Sequence, residues 1–165
     1  MKPARGPLLA LALACCALPA LAPGPGWHTE LILGPTYDGP TDGWPVTVVR
    51  DPGDLAEHMA ASDLLVLGAG TMKFEAACLG RPAILVAVAD DQLAVGPSYA
   101  ELGAAIYLGD GRTVEPRRVR AAIEDLLRNL ERREALGRRA AEIVDGRGAE
   151  RIAEAIARLP GGGAG

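Results

Sequence analysis

No part of this chain limits its possible folds more than residues 63–87, DLLVLGAGTMKFEAACLGRPAILVA. Residues 64–67 are a short unbroken apolar run, the pattern of a strand buried on both faces, and Gly68-Ala69-Gly70 interrupts it. Thr71 stands where an N-cap would stand. The residues after it put Phe74, Ala77 and Cys78 on one expected helical face, and Gly80 is a fitting C-cap. Pro82 closes a turn, and residues 83–88 form a second apolar strand. Strand, glycine turn, helix and strand together make a βαβ crossover whose helix opens at the carboxyl end of a parallel strand.

A turn of this kind offers unpaired backbone N–H groups and the positive end of a helix dipole to an anion. Gly70, the second glycine of the Gly68-Ala69-Gly70 turn, leaves room for a phosphate to approach the backbone. Glu75, one turn into the helix, is placed to accept two hydrogen bonds from a vicinal diol such as a ribose. The geometry is that of a nucleotide site. In many α/β proteins the same GxG turn merely packs, so these residues alone leave both readings open.

The chain has 165 residues, enough for one domain with its own core and too few for two of ordinary size. Its net charge of -4 carries no basic excess, so nucleic acid is not an expected partner. Cys15, Cys16 and Cys78 are odd in number and lack C-x-x-C spacing, which reads as buried thiols in a reducing cytoplasm. His28 and His58 have no neighbour at metal-ligand spacing, so neither a metal nor a cofactor is expected.

Residues 1–26 admit two readings. Lys2 and Arg5 followed by LLALALACCALPALA suit a secretory signal peptide, which would make this a secreted α/β domain. The same run suits an alanine- and leucine-rich buried helix ending near Pro19 or Pro23. It is too short and too proline-broken for an integral membrane span.

Further along, residues 29–33 read as a strand, 36–45 as an exposed, mobile loop, and 46–49 as another strand. Asp51-Pro52 looks like a helix start, with Leu55, Met59 and Ala56 facing inward. Ala89-Asp90-Asp91-Gln92 reads as a loop at the carboxyl edge of the sheet, where ligands bind, or else as a solvated connection. Residues 96–103 form a short helix, 104–108 a strand and 109–111 a tight turn. The rest is helical and charged, with Ile152, Ala155, Ile156 and Leu159 inward on the last helix and a flexible tail at 160–165. By this count there are five strands alternating with helices, an α/β, doubly wound parallel sheet.

The motifs LILGP at residues 31–35, DLAEHMAASDLLVLGAGT at 54–71, FEAACLGRPAILV at 74–86, ADDQ at 89–92 and DGRGAERIA at 145–153 follow one another in family order. They resemble the C-terminal, nucleotide-binding half of GT-B-type nucleotide-sugar enzymes, glycosyltransferase family 28 C-terminal-like. The nearest resemblance is to the UDP-sugar hydrolases of pseudaminic acid biosynthesis and the spore-coat polysaccharide glycosyltransferases, and it covers residues 7–159. It implies a single Rossmann-like domain over residues 1–159 that binds a UDP-sugar in surface polysaccharide or nonulosonic acid synthesis.

Within that resemblance, Gly68, Gly70 and Thr71 belong to the phosphate turn and Glu75 to the ribose. Asp91 and Gln92 approach the glycosyl group, and Gly34 with Pro35 lines the base side. Met72 and Lys73 stand where the family has small hydroxylated residues, and Asp91 replaces an asparagine. An acid there repels a diphosphate unless a cation or Lys73 offsets it. No residue is a good general base, so the catalytic residues are unassigned. Aligned in this way, the chain starts at the helix after the family's first strand, with residues 7–21 as that helix in preference to a signal. In the strand order 3-2-1-4-5-6 the absent strand would be the central one. A truncated or split enzyme completed by an N-terminal-domain partner chain is therefore expected, or a non-catalytic subunit of a two-chain glycosyltransferase.

Overall fold

The computed structural model describes residues 8–11 and 18–159. Six strands, β1 (Leu8–Leu11), β2 (Thr29–Leu33), β3 (Thr47–Arg50), β4 (Leu64–Gly68), β5 (Ala83–Ala87) and β6 (Ile106–Asp110), form one sheet in the order β3-β2-β1-β4-β5-β6. Every neighbouring pair is parallel. Seven helices are described: α1 (Leu18–Leu21), α2 (Leu55–Ala61), α3 (Met72–Cys78), α4 (Asp90–Glu101), α5 (Pro116–Arg128), α6 (Leu130–Ile143) and α7 (Gly148–Ala157).

The strand expected to be missing is present. Leu8 lies in register with Thr29 on one side and Leu64 on the other, so β1 fills the centre of the sheet and leaves no unpaired edges there. The apolar run beginning at Leu8 thus opens as a strand and not as one helix over 7–21; only Leu18–Leu21 is described as helical. The reason is physical: a strand buried on both faces shows no alternation, and periodicity cannot separate it from a buried helix. Cys15 and Cys16, expected as buried thiols, and the tail at 160–165 lie outside the described residues.

Strand periodicity sorts the core into two layers. Leu64, Val66, Ile84 and Val86 face the side covered by α1 and α5, where they meet Leu21, Val119, Ile123 and Leu126. Leu65, Leu67, Ala83 and Leu85 face the side covered by α2, α3, α4 and α6, against Met59, Ala76, Tyr99 and Ala140. Each fully buried Leu or Ile contributes about 1.5–3 kcal/mol, so β4 and β5, buried along their whole length, form the apolar centre of the domain.

Several local expectations shift. The N-cap of α2 is Asp54, whose carboxylate accepts the Glu57 N–H at 3.1 Å, and not Asp51. Met59 is buried as expected, whereas Ala56 is exposed. Arg50 gathers the loop expected to be mobile by donating to the carbonyls of Tyr37 and Gly39, each at 3.1 Å, and Tyr37 and Trp44 pack on the core. On α3 the buried face is Lys73, Ala76 and Ala77, while Phe74 and Cys78 are exposed.

Gly80 does cap α3. With φ +63 it takes the left-handed conformation, and the bonds Gly80 N–H to Ala77 and Arg81 N–H to Ala76 complete a Schellman motif. The largest departure is α7, none of whose residues is buried. Ile152, Ile156 and Leu159, expected inward, are 63%, 60% and 62% exposed. Among the described residues no helix is long and apolar enough to cross a membrane.

Candidate functional site

Because all the strands are parallel, their carboxyl ends share one edge, and there α3 leaves β4 and α4 leaves β5. The chain between β4 and α3 is anchored on the sheet side by the Ala69 N–H, which bonds the Val86 carbonyl at 2.9 Å. Thr71 occupies the N-cap position but has helical dihedrals and makes no side-chain cap bond, contrary to the capping role expected of it. Its carbonyl accepts the Phe74 N–H at 2.9 Å. Among the described residues, neither the Gly70 N–H nor the Thr71 N–H has an acceptor.

Gln92 lies over this turn. Its Oε1 accepts the Val88 N–H at 3.1 Å, and a Cβ placed on Gly70 would lie 3.2 Å from its Nε2. A Cβ on Gly68 would meet the same amide at 3.7 Å and Val88 Cγ2 at 3.2 Å. The two glycines therefore let one side-chain amide settle against the backbone. Asp91 and Gln92 stand in the first turn of α4, not in a loop, with Ala89 extended at the N-cap. Glu75 is exposed one turn after Thr71, and i,i+4 spacing puts the two on the same side of α3.

Lys73 is the unexpected member. It is 6% exposed, and its Nζ donates to the carbonyls of Ala69 at 2.9 Å and Gly70 at 2.8 Å. The ammonium also lies 4.2 Å from the centre of the Phe74 ring and 6.0 Å from that of Tyr99. Burial pushes its pKa below the ordinary lysine value, and the attraction of Asp91 partly opposes that shift. Tyr99 is also buried, and its hydroxyl has no partner among the described residues. Burial, with the Cys78 thiol as a smaller cause, raises the Tyr99 pKa.

The structure thus brings Gly68, Gly70, Thr71, Asp91 and Gln92 together, with Glu75 on the adjoining helix. Gly34 and Pro35 are exposed after β2 at the same edge. β1 intervenes, which separates them from β4 by two strand spacings, about 10 Å. Sequence reasoning missed Arg112, whose Nη2 bonds Asp90 Oδ1 and Asp110 Oδ2 at 2.8 Å each and ties the start of α4 to the end of β6. The Arg112 hydrogen bonds hold the Asp110 carboxyl below its usual range. Nothing in the DGR tripeptide foretold the reach to Asp90. The histidines lie elsewhere: His58 Nδ1 is 3.1 Å from Glu30 Oε2, and His28 precedes β2. A cavity of about 150 Å³ bordered by Asp63, Arg81, Pro82 and Arg133 opens at the amino ends of β4 and β5. It is on the wrong edge for the glycine turn and smaller than the roughly 300 Å³ at which ligand pockets begin.

A six-stranded parallel sheet in this order, with its glycine turn and amide at the carboxyl edge, has the fold of the C-terminal, nucleotide-sugar-binding half of GT-B glycosyltransferases. Among solved structures the chain is similar to the glycotransferase of kitacinnamycin, with 28% identity, a TM-score of 0.69, and coverage of 97% of this chain and 45% of that one. It also superposes on the spinosyn rhamnosyltransferase SpnG complexed with thymidine diphosphate, with 17% identity, a TM-score of 0.70, and coverage of 87% and 42%. Among curated proteins it is similar to the spore coat polysaccharide biosynthesis protein SpsG of Bacillus subtilis (strain 168), 26% identical over 105 residues. That match takes in 64% of this chain and 31% of SpsG, so the chain spans less than half the length of these relatives. No protein-family model matches it.

Proposed function

We propose that this chain binds the nucleoside diphosphate of a sugar nucleotide, a UDP-sugar, as the donor half of a glycosyltransferase in surface polysaccharide synthesis. The observation that carries the reading is the pair of unpartnered N–H groups at Gly70 and Thr71, beneath Gln92 at the carboxyl edge of the sheet. In this reading those amides meet the phosphates, Glu75 accepts the ribose hydroxyls, Asp91 and Gln92 adjoin the glycosyl group, and Gly34 with Pro35 borders the base. Amides fixed before the reaction begins stabilise charge developing on the departing diphosphate without reorganising. The base that activates the acceptor comes from the other half of the enzyme.

Transfer is favoured over hydrolysis because the solved relatives at 28% and 17% identity are named as transferases, and the curated relative is named for polysaccharide biosynthesis. The coverage of less than half of those chains supports a second half, on the same polypeptide or on a partner chain. Such a partner is not needed to complete this sheet, since β1 already fills its centre.

Calorimetry of UDP binding to the wild type and Glu75→Ala tests the site. Removing a charged acceptor of two hydroxyl bonds should weaken binding by about tenfold to a hundredfold, from roughly 1.5–3 kcal/mol. Equal affinity would remove Glu75 from the ribose role, and no binding by the wild type would remove the nucleotide reading itself.

A further inference from the structure

In a planar trans peptide the carbonyl of one residue and the N–H of the next point in opposite directions. Lys73 Nζ draws in the carbonyls of both Ala69 and Gly70, at 2.9 and 2.8 Å, so the N–H groups of Gly70 and Thr71 point away from it. Neither of those N–H groups has an acceptor among the described residues. A cation in the first turn of a helix opposes the electrostatics of that end, and a buried ammonium is costly unless paired. Yet Lys73 is 6% exposed, and among the described residues no carboxylate lies within salt-bridge distance of it. Two carbonyls and the rings of Phe74 and Tyr99 surround it, and Asp91 acts on it only at longer range.

We propose that Lys73 is the positioning residue of the glycine turn, holding two peptides so that their N–H groups face a diphosphate while its own charge stands behind them as the counter-charge. This rests on the nucleotide reading above and adds to it the group that sets the turn's orientation and the charge of its ligand. It also accounts for the tolerance of Asp91 at this edge, since the lysine offsets an acid that would otherwise repel phosphate.

The consequence is a pH dependence. Binding is strong while Lys73 is protonated and weakens as pH rises through its pKa, which burial places below the ordinary value of 10.5. The titratable groups facing Lys73 are Asp91 and Tyr99, both from α4, with Cys78 of its own helix beside Tyr99. Arginine at 73 keeps the charge throughout that window and leaves the other three groups in place.

The test is calorimetric titration of the 165-residue chain with UDP and with inorganic pyrophosphate, from about pH 7 to about pH 10. Wild type should lose affinity for both ligands as pH rises through the Lys73 pKa, which lies below the ordinary 10.5. Lys73→Met should bind both at least about tenfold more weakly with a flat profile, and Lys73→Arg should also be flat but bind more tightly than the methionine variant. Should Lys73→Met not melt cooperatively, Lys73→Arg and the wild-type profile carry the test. Wild-type affinity and an unchanged pH profile in the variants would overturn the role of Lys73 and leave the nucleotide reading standing, as would UDP binding by wild type with no alkaline loss. If wild type takes up neither ligand, both readings fall.

Discussion

At the scale of single residues, the chain places its small side chains where backbone meets backbone. Gly137 on α6 is one such contact: a Cβ there would lie 2.3 Å from the Gly80 carbonyl oxygen and 3.5 Å from Pro82 Cδ. Alanine's better helix propensity returns up to about 1 kcal/mol, while overpacking against a rigid backbone costs about 1–3 kcal/mol. The obstacle is backbone oxygen and not a flexible side-chain end, so overpacking wins. Gly137→Ala should lower stability by about 1–2 kcal/mol in urea denaturation. Residue-level reading succeeded where the cause was local: Gly80 was legible as a cap because its conformation depends on its own Cβ. It failed for Lys73, since a lysine in an amphipathic helix is ordinarily solvated, and only the carbonyls of Ala69 and Gly70, four and three residues earlier, draw it inside.

At the scale of elements, the DGRGAERIA motif acts as a joint between α6 and α7. Asp145 accepts the Arg147 N–H at 3.0 Å and two bonds from Arg151 Nη1, at 2.9 and 2.7 Å. The Arg151 bonds hold the Asp145 pKa at about 2, below its ordinary 3.8. A depressed folded-state pKa means that the contribution is complete above about 3.8 and is lost as pH falls through about 2. Amide protection in Gly148–Ala157, taken relative to the intrinsic exchange rate at each pH, should therefore fall over that acid window in wild type, and Asp145→Asn should remove the pH dependence. The element missed outright was β1. Its residues are as apolar as those of a buried helix, and only its pairing with β2 and β4 identifies it.

At the scale of the whole molecule, the sheet and helices α1–α6 hold most of the buried apolar groups among the described residues, and α7 stands apart. Ile152, Ile156 and Leu159 form an apolar stripe at helical spacing that touches no core within the described residues. Exposed side chains contribute little to folding, so Ile152→Glu combined with Ile156→Glu should leave the thermal midpoint of the chain unchanged within about 0.5 kcal/mol of stability. A loss comparable to a core substitution, roughly 2–5 kcal/mol, would show instead that α7 folds back onto the domain.

The amino-acid sequence by itself determined the crossover at residues 63–87, the glycine turn, the alternation of strands and helices, and the resemblance to GT-B enzymes. Each of these follows from short-range spacing, in which every residue carries its own signal of period, cap or turn. Tertiary structure alone decided that the run beginning at Leu8 becomes the central strand, that Lys73 turns inward, that Gln92 closes over Gly68 and Gly70, and that the apolar face of α7 stays uncovered. Those outcomes depend on partners distant in the chain or on competition between burial and hydrogen bonding, and neither is written in the local pattern.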